Sequence, residues 1–515
     1  MAEYHITERE IEEIFITPDR QNTPIIHMFN TSYDDISLMA DDIHQAGFGY
    51  VMVSPPLTWQ KDGPKTPAEA KDMWYHCYQP EDSRAIDNPL GNKQSFILMI
   101  NILKAKGIDV IADVPLNFMG VGGEGGAGGN DGKGTLQYPS INIIEKREEK
   151  KSRVPGQVEA QQIIYSIGTN PQDLTQHYLS SFGFEPGRHN FVHSEKLEDI
   201  QSNRLEGLPK KILNNYTKSE MQTYLNALKE CGVKGFRIDA EKHMKEGMLN
   251  NVFTTEITEG IFIFGEVITN GMDNSWKYLQ TRLSTRKDIG AYDFPLQKFI
   301  LKAFSFSGDL RDLRSTENYN PGKISPAQSV TFTVNHDIPN NKTAFSHLLF
   351  SDPIDEMLAY SYLMALPGNR TMVYYDGKAL TSNTDGHPEW TNALQNNQLK
   401  NLIFFNNVFY NKTEGYYYFP KNPDYSEPFS SQTCIAFSRG ENNKPHTGLV
   451  IINKANESTN GQWEHSLEPG RYYNVGTADI HEVIVPPNGK IKSLRIPGRS
   501  SLMLIHESEY KKHSL

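Results

Sequence analysis

The chain has 515 residues, 11% of them aromatic, and a formal net charge of −11 at a pI near 5.8. It is too long for one ordinary core, so two or three domains are expected, and its acidic balance argues against a binder of phosphate backbones. No run is long and charge-free enough to span a membrane. The opening MAEYHITEREIEEIF lacks the apolar core of a secretory signal, and the widely spaced Cys77, Cys231 and Cys434 fit free thiols in a reducing compartment.

From about residue 22, strand-like and helix-like segments alternate. TPIIHMF is an apolar run. SYDDISLMADDIHQAG then sets Ile36, Met39 and Ile43 at helical spacing and closes on Gly47. FGYVMVSPP, a helical QSFILMINILKAKG and the run IDVIADVPLN follow. Residues 118–206 interrupt the pattern. Their GVGGEGGAGGNDGKG stretch cannot build a core and reads as a mobile loop. It is not a phosphate-cradling loop, because Lys133 is followed by Gly134 where that motif needs Ser or Thr. The helix KSEMQTYLNALKECG resumes the alternation, leading to VKGFRID, IFIFGEV, IGAYDF, SVTFTVNHD and RTMVYYDG.

Eight mainly parallel strands with helices between them predict an α/β fold, a (β/α)8 TIM barrel. The interruption follows the third strand, so it is expected to stand over the barrel mouth as an insertion domain. After about residue 410, YYYFP, TCIAFSRG, HTGLVIINKA, RYYNVG, HEVIVPP and SSLMLIHE are short strands between turn residues, which predicts a C-terminal antiparallel β-sandwich. The closing ESEYKKHSL reads as a frayed tail. The expected division is a barrel from 1–117 and 207–410, an insertion from 118–206 and a β-sandwich from 411–515.

Three of the apolar runs end in an acid: Asp239, Glu266 and Asp337. A single acid there has two readings, a cap on the next helix or a catalytic group at the C-terminal mouth of a barrel strand. Their neighbours favour the second. Arg237 precedes Asp239 by two and shares its face of the strand; a buried cation beside it would keep Asp239 ionised, as a nucleophile requires. Glu266 ends a run of Ile and Phe, and apolar surroundings would hold its proton for acid catalysis. Asn335 and His336 make a polar cluster with Asp337, and buried polar groups need partners.

In order, DVPLN, GFRID, FGEV and NHD resemble the four signature blocks of the α-amylase family of glycoside hydrolases. VMVSPP and WYHCYQP resemble that family's second strand and its loop. The resemblance spans about residues 22–508. It implies that Asp239 is the nucleophile, Glu266 the acid and base, and Asp337 the group that grips the sugar at the cleavage point. It further implies that Arg237 and His336 contact the same sugar, that Tyr78 stacks on it with Trp74 nearby, and that Lys242 and His243 line the leaving-group side. A calcium ion is implied between barrel and insertion, held by Asn117, the backbone of His243 and Asp199. A chloride is implied at Arg237, Asn335 and Arg370.

The chain departs from the family at the rim. Phe118 follows Asn117 where a His is usual, and Lys210 stands in GLPKK where an Asp is usual. Pro115 in DVPLN also reads as a simple kink at a strand exit. The resulting expectation is endo-acting, retaining hydrolysis of α-1,4-glucosidic bonds in starch, glycogen or maltooligosaccharides. Alternatives are a 4-α-glucanotransferase with the same site and a non-catalytic glucan-binding protein. The partner expected is a glucan, not nucleic acid or a membrane. The chain is expected to be monomeric and cytoplasmic, or exported without a cleaved signal.

Overall fold

Each of the eight apolar runs contains a short strand: β1 (Ile25–Met28), β2 (Tyr50–Val53), β3 (Asp109–Val114), β4 (Gly235–Ile238), β5 (Phe262–Gly265), β6 (Ile289–Tyr292), β7 (Ser329–Phe332) and β8 (Arg370–Tyr375). The computed structural model describes residues 23–59, 63–83, 85–118, 120, 184–185, 196–202, 205, 208, 210–211, 213, 215–269, 274–314, 324–375, 393–410, 432–441 and 443–513. Most of the expected insertion, including 121–134 of its glycine-rich stretch, and the YYYFP run at 416–420 lie outside these residues. All eight strands are parallel and close into a barrel in chain order. Side chains fill the inside and helices cover the outside, so the strands are apolar on both faces.

The helix expected after β1 forms as two pieces, α1 (Tyr33–Leu38) and α2 (Ala40–Gln45), parted at Met39, which leaves the helical basin at φ −87° and ψ 2°. Its apolar face is as predicted, with Ile36 and Ile43 fully buried and Gly47 at φ 85° ending it. α3 (Lys93–Ala105) starts at a capping box between Asn92 and Ser95. Of the insertion, Phe184–Glu185 pairs with Lys210–Lys211. A short helix, α4 (Leu197–Ser202), lies beside the loop after β4, where Ile200 O meets the His243 ring. α5 (Asn215–Glu230) then leads into β4.

The C-terminal region is a five-stranded antiparallel sheet, completed by a two-stranded antiparallel sheet. The strands are β9 (Cys434–Arg439), β10 (Gly448–Asn453), β11 (Thr459–Trp463), β12 (Gly470–Asn474), β13 (Glu482–Val485), β14 (Ile491–Ile496) and β15 (Ser500–His506). The smaller sheet pairs β11 with β14. Alternation splits the main sheet's two faces. Ile435, Phe437, Val450, Ile452, Met503 and Ile505 join the barrel's core, while Leu449, Ile451, Leu502 and Leu504 pack with Trp463 and Ile496 of the smaller sheet.

Cations fasten this region to the barrel: Arg499 pairs with Asp352 at 2.7 Å and with Asp355, and two buried ones close helix ends. Buried Arg439 donates to Ala365 O and, at 3.0 Å, to Phe409 O, the last residues of α7 (Pro353–Ala365) and α8 (Asn397–Phe409). Buried Lys454 donates to Ala303 O at 2.8 Å, near the end of α6 (Phe294–Phe304), and to Ser305 O and Gly308 O, both at 2.6 Å. Helix C-termini present unpaired carbonyls and negative dipole ends, which these cations satisfy. The expected frayed tail is instead a helix, Glu507–His513. Lys511 pairs with Glu507 at 2.8 Å, and the Tyr510 ring packs on Phe404 and Tyr473.

Candidate active site

The barrel ladder itself delivers two of the acids. Asp239 N donates to Val114 O at 3.3 Å and Glu266 N to Ile238 O at 2.9 Å, so each acid follows its strand onto the C-terminal rim. Asp337 opens the short helix Asp337–Asn340 that follows β7. The next residue after Asp239, Ala240, has φ 47°, a left-handed conformation that is costly for a residue with a Cβ. Its N–H is thereby turned to Glu266 Oε2 at 3.2 Å. Gly265 permits this close packing, since a Cβ there would fall 1.6 Å from Glu241 Oε2. Glu241 is itself fixed by Arg282, at 2.8 and 2.9 Å, and by Tyr278.

Arg237 is the hub. It is completely buried. Its Nη1 donates to Asp113 Oδ1 and Oδ2 at 2.8 and 2.9 Å and to Asp239 Oδ1 at 2.8 Å. Its Nη2 is 2.7 Å from Glu266 Oε1, an ion pair without hydrogen-bond alignment. From Asp113 the chain of contacts continues: Tyr78 Oη donates to Asp113 Oδ2 at 2.8 Å and meets His336 Nε2 at 2.8 Å, and His336 Nε2 is 3.4 Å from Asp337 Oδ1. Asn335 Nδ2 reaches Asp337 Oδ2 at 3.4 Å. The His336 ring is stacked between Phe29 and Tyr78, at 4.7 and 5.2 Å, with Trp74 at its edge, 6.0 Å away. The three predicted carboxylates, Arg237, His336, Tyr78 and Trp74 are therefore brought together.

Three carboxylates share this one guanidinium, with Asp337 close by, and the electrostatics follow. Burial first, then repulsion from Glu266 and Asp113, carries Asp239 up to about 8 against the pull of Arg237. The expectation that Arg237 would simply hold Asp239 ionised is thus corrected: the guanidinium is divided among three acids. Burial and the neighbouring Glu266 also raise Asp337 well above the carboxylate range. The apolar setting expected for Glu266 is corrected too, since Arg237 stands against it. Burial, then the charge of Arg237, depresses His336 and His27, so both rings are neutral. The cluster as a whole holds a proton that an isolated set of carboxylates would release.

Other expected residues lie elsewhere. The His243 ring is buried against Ile200 O at 3.2 Å and the Phe118 ring, so it does not line a leaving-group site. Lys242 Nζ reaches Ile268 O at 3.3 Å on the rim. Arg370 opens β8, and its guanidinium lies 4.1 Å over Phe262 and 5.8 Å over Tyr50, residues that open β5 and β2. That is the N-terminal end of the barrel, so Arg370 is not joined to Arg237 and Asn335 as a chloride site. Phe118 fills an apolar pocket with Leu208 and Ala240. Asp199 lies on α4. Of the calcium group, Asn117 Nδ2 donates to His243 O at 3.1 Å, and Lys210 Nζ donates to the same carbonyl at 2.9 Å. Among the described residues, no three His, Cys, Asp or Glu side chains are grouped to hold a metal, and no helix is long and apolar enough to cross a membrane. All three cysteines are free and buried.

Sequence reasoning missed Asp113, Phe29 and His27. Asp113 left a signal: it is a carboxylate inside an apolar run, and it falls in register with Arg237. His27 is buried, edge-on to His336 at 5.3 Å, and nothing in its run marked it.

A family model described as the α-amylase C-terminal all-β domain matches residues 429–507. An α-amylase of Aeromonas hydrophila is 35% identical over 408 residues, covering 77% of this chain and 80% of that protein. The YgaQ protein of Escherichia coli K12 is 32% identical over 549 residues, 95% of this chain and 70% of that protein. Among solved structures, α-amylase I of Eisenia fetida superposes with a TM-score of 0.66 at 19% identity, over 94% of this chain and 97% of that one.

Proposed function

This chain belongs to the α-amylase family of glycoside hydrolases, and we propose that it cleaves α-1,4-glucosidic bonds within starch, glycogen or maltooligosaccharides, with retention of configuration. The observation that carries this reading is the Arg237 hub, which draws Asp239 and Glu266 to one guanidinium at the mouth of the barrel, with Asp337 tied in through Tyr78 and His336.

The division of labour follows from position and solvent access. Asp239 and Asp337 keep 15% and 18% of their side chains exposed, while Glu266 keeps 8%. Asp239 is the nucleophile: its free oxygen attacks the anomeric carbon while Oδ1 stays on Arg237. Glu266 protonates the departing oxygen and later takes a proton from the attacking water. Asp337 accepts hydrogen bonds from sugar hydroxyls, which replace the hydrogen bond it shares with Glu266 in the free protein. Neutral His336, clamped between two rings, adds a hydrogen-bonding edge without adding charge. Phe118 in its apolar pocket offers the sugar no hydrogen bond, a difference on the order of 1 kcal/mol.

The test is product analysis on maltoheptaose by chromatography with wild type and Glu266→Gln. Shorter maltooligosaccharides from the wild type, and none from the variant, support the reading. Products longer than the substrate would move the assignment to glucan transfer, and equal rates in both proteins would remove Glu266 from catalysis.

A further inference from the structure

We propose that the Lys210 ammonium takes the place of a divalent cation at the junction between barrel and insertion, so that this junction is closed without calcium. Of the residues expected to surround the ion, Asn117 and the His243 carbonyl already meet each other and Lys210. Lys210 is 2% exposed. Its Nζ donates to His243 O at 2.9 Å, on the loop after β4, and to Gln201 O at the end of α4. One side chain thus joins barrel loop to insertion helix.

Its backbone is tied in as well. Lys210 bridges Phe118, and Lys211 N donates to Asn117 O at 2.8 Å. The His243 carbonyl has two lone pairs, and both are used, by Lys210 Nζ and by Asn117 Nδ2 at 3.1 Å. Asn117 therefore commits its amide nitrogen to the His243 carbonyl, while its Oδ1 is buried without a hydrogen-bond partner.

A calcium ion needs six to eight oxygens, several of them carboxylate. Here a fixed positive charge stands on the one backbone carbonyl expected to bind it, and would repel a dication. Lysine suits the position because an ammonium satisfies up to three carbonyl acceptors that would otherwise be buried and unpaired.

The experiment uses the full-length protein and reads metal content and melting temperature, so its outcome is independent of which glucan is cut. Wild type is desalted, assayed for calcium by mass spectrometry, and melted in excess EDTA and in excess CaCl2. The expected result is no stoichiometric calcium and a midpoint that moves by less than about 1 °C between the two conditions, because an ion that does not bind gives no mass-action stabilisation. Lys210→Met is expected to melt several degrees lower in both. One calcium per wild-type chain together with a fall of the midpoint in EDTA would overturn the proposal, as would a Lys210→Met variant that melts with the wild type. If the variant does not fold, the wild-type measurements decide alone.

Discussion

Asp113 and Arg237 stand opposite each other in the register of β3 and β4, and both oxygens of Asp113 lie within 2.9 Å of one guanidinium nitrogen. Asp113 thus competes with Asp239 for Arg237 and repels it. Asp113→Asn removes that repulsion, so Asp239 should ionise at lower pH. The ascending limb of kcat/KM should move acidward by on the order of one pH unit. A pH–rate profile with circular dichroism at each end checks this; an unmoved limb would show that Asp113 does not tune the nucleophile.

Gly265 allows Glu241 to pack directly against the backbone that leads into Glu266. Gly265→Ala places a methyl where Glu241 Oε2 now sits, so either the Glu241–Arg282 pair or Glu266 must shift. Small misplacements of a catalytic group cost roughly 100-fold. We expect kcat/KM to fall by about that factor, with a lowered melting temperature; activity within twofold of wild type would contradict the geometry.

Arg439 closes the ends of α7 and α8 from the C-terminal sheet. Arg439→Met should destabilise the chain by roughly 3 kcal/mol, the scale of one or two charge-assisted hydrogen bonds. Thermal or urea unfolding followed by tryptophan fluorescence reads this directly, and an unchanged midpoint would mean that Arg439 contributes nothing to holding the sheet to the barrel.

Glu356 is buried in α7, accepts a hydrogen bond from Thr333 at 2.8 Å, and is carried by burial to about 8. Its folded value lies above its unfolded one, so its contribution to stability is full below the unfolded value and is lost as pH rises through about 8. Between the two values the folded chain holds one proton more, a slope of about 1.4 kcal/mol per pH unit against wild type. Glu356→Gln removes that slope. Its melting temperature should gain on wild type from about pH 5 to 8 and level off above that; parallel curves would contradict a buried, protonated Glu356.

The barrel was legible because each strand is a short apolar run with its own turn chemistry, and the three acids were legible because they end such runs. What the sequence obscured is of a different kind. Asp113 was hidden inside IDVIADV because its meaning depends on a partner more than a hundred residues away. Arg370 matched a pattern in letters, but as the first residue of its strand it stands at the far end of the barrel. The β11–β14 pair, TNGQW and IKSLRI, has little apolar alternation and forms against the sheet beside it. The terminal helix is seven residues long, too short to form without the packing of Tyr510 on Phe404 and Tyr473. Lys210 stood out as a departure; its role needed the fold to bring Gln201 and His243 to the same ammonium.

The central claim is a retaining cleavage through Asp239 and Glu266. Proton NMR of maltoheptaose during the first turnovers tests it most directly, by following the anomeric signals of the new reducing ends before mutarotation. The account predicts that wild type releases the α-anomer first and that Glu266→Gln releases almost none. A β-anomer formed first, or α-product from the variant at the wild-type rate, would contradict it.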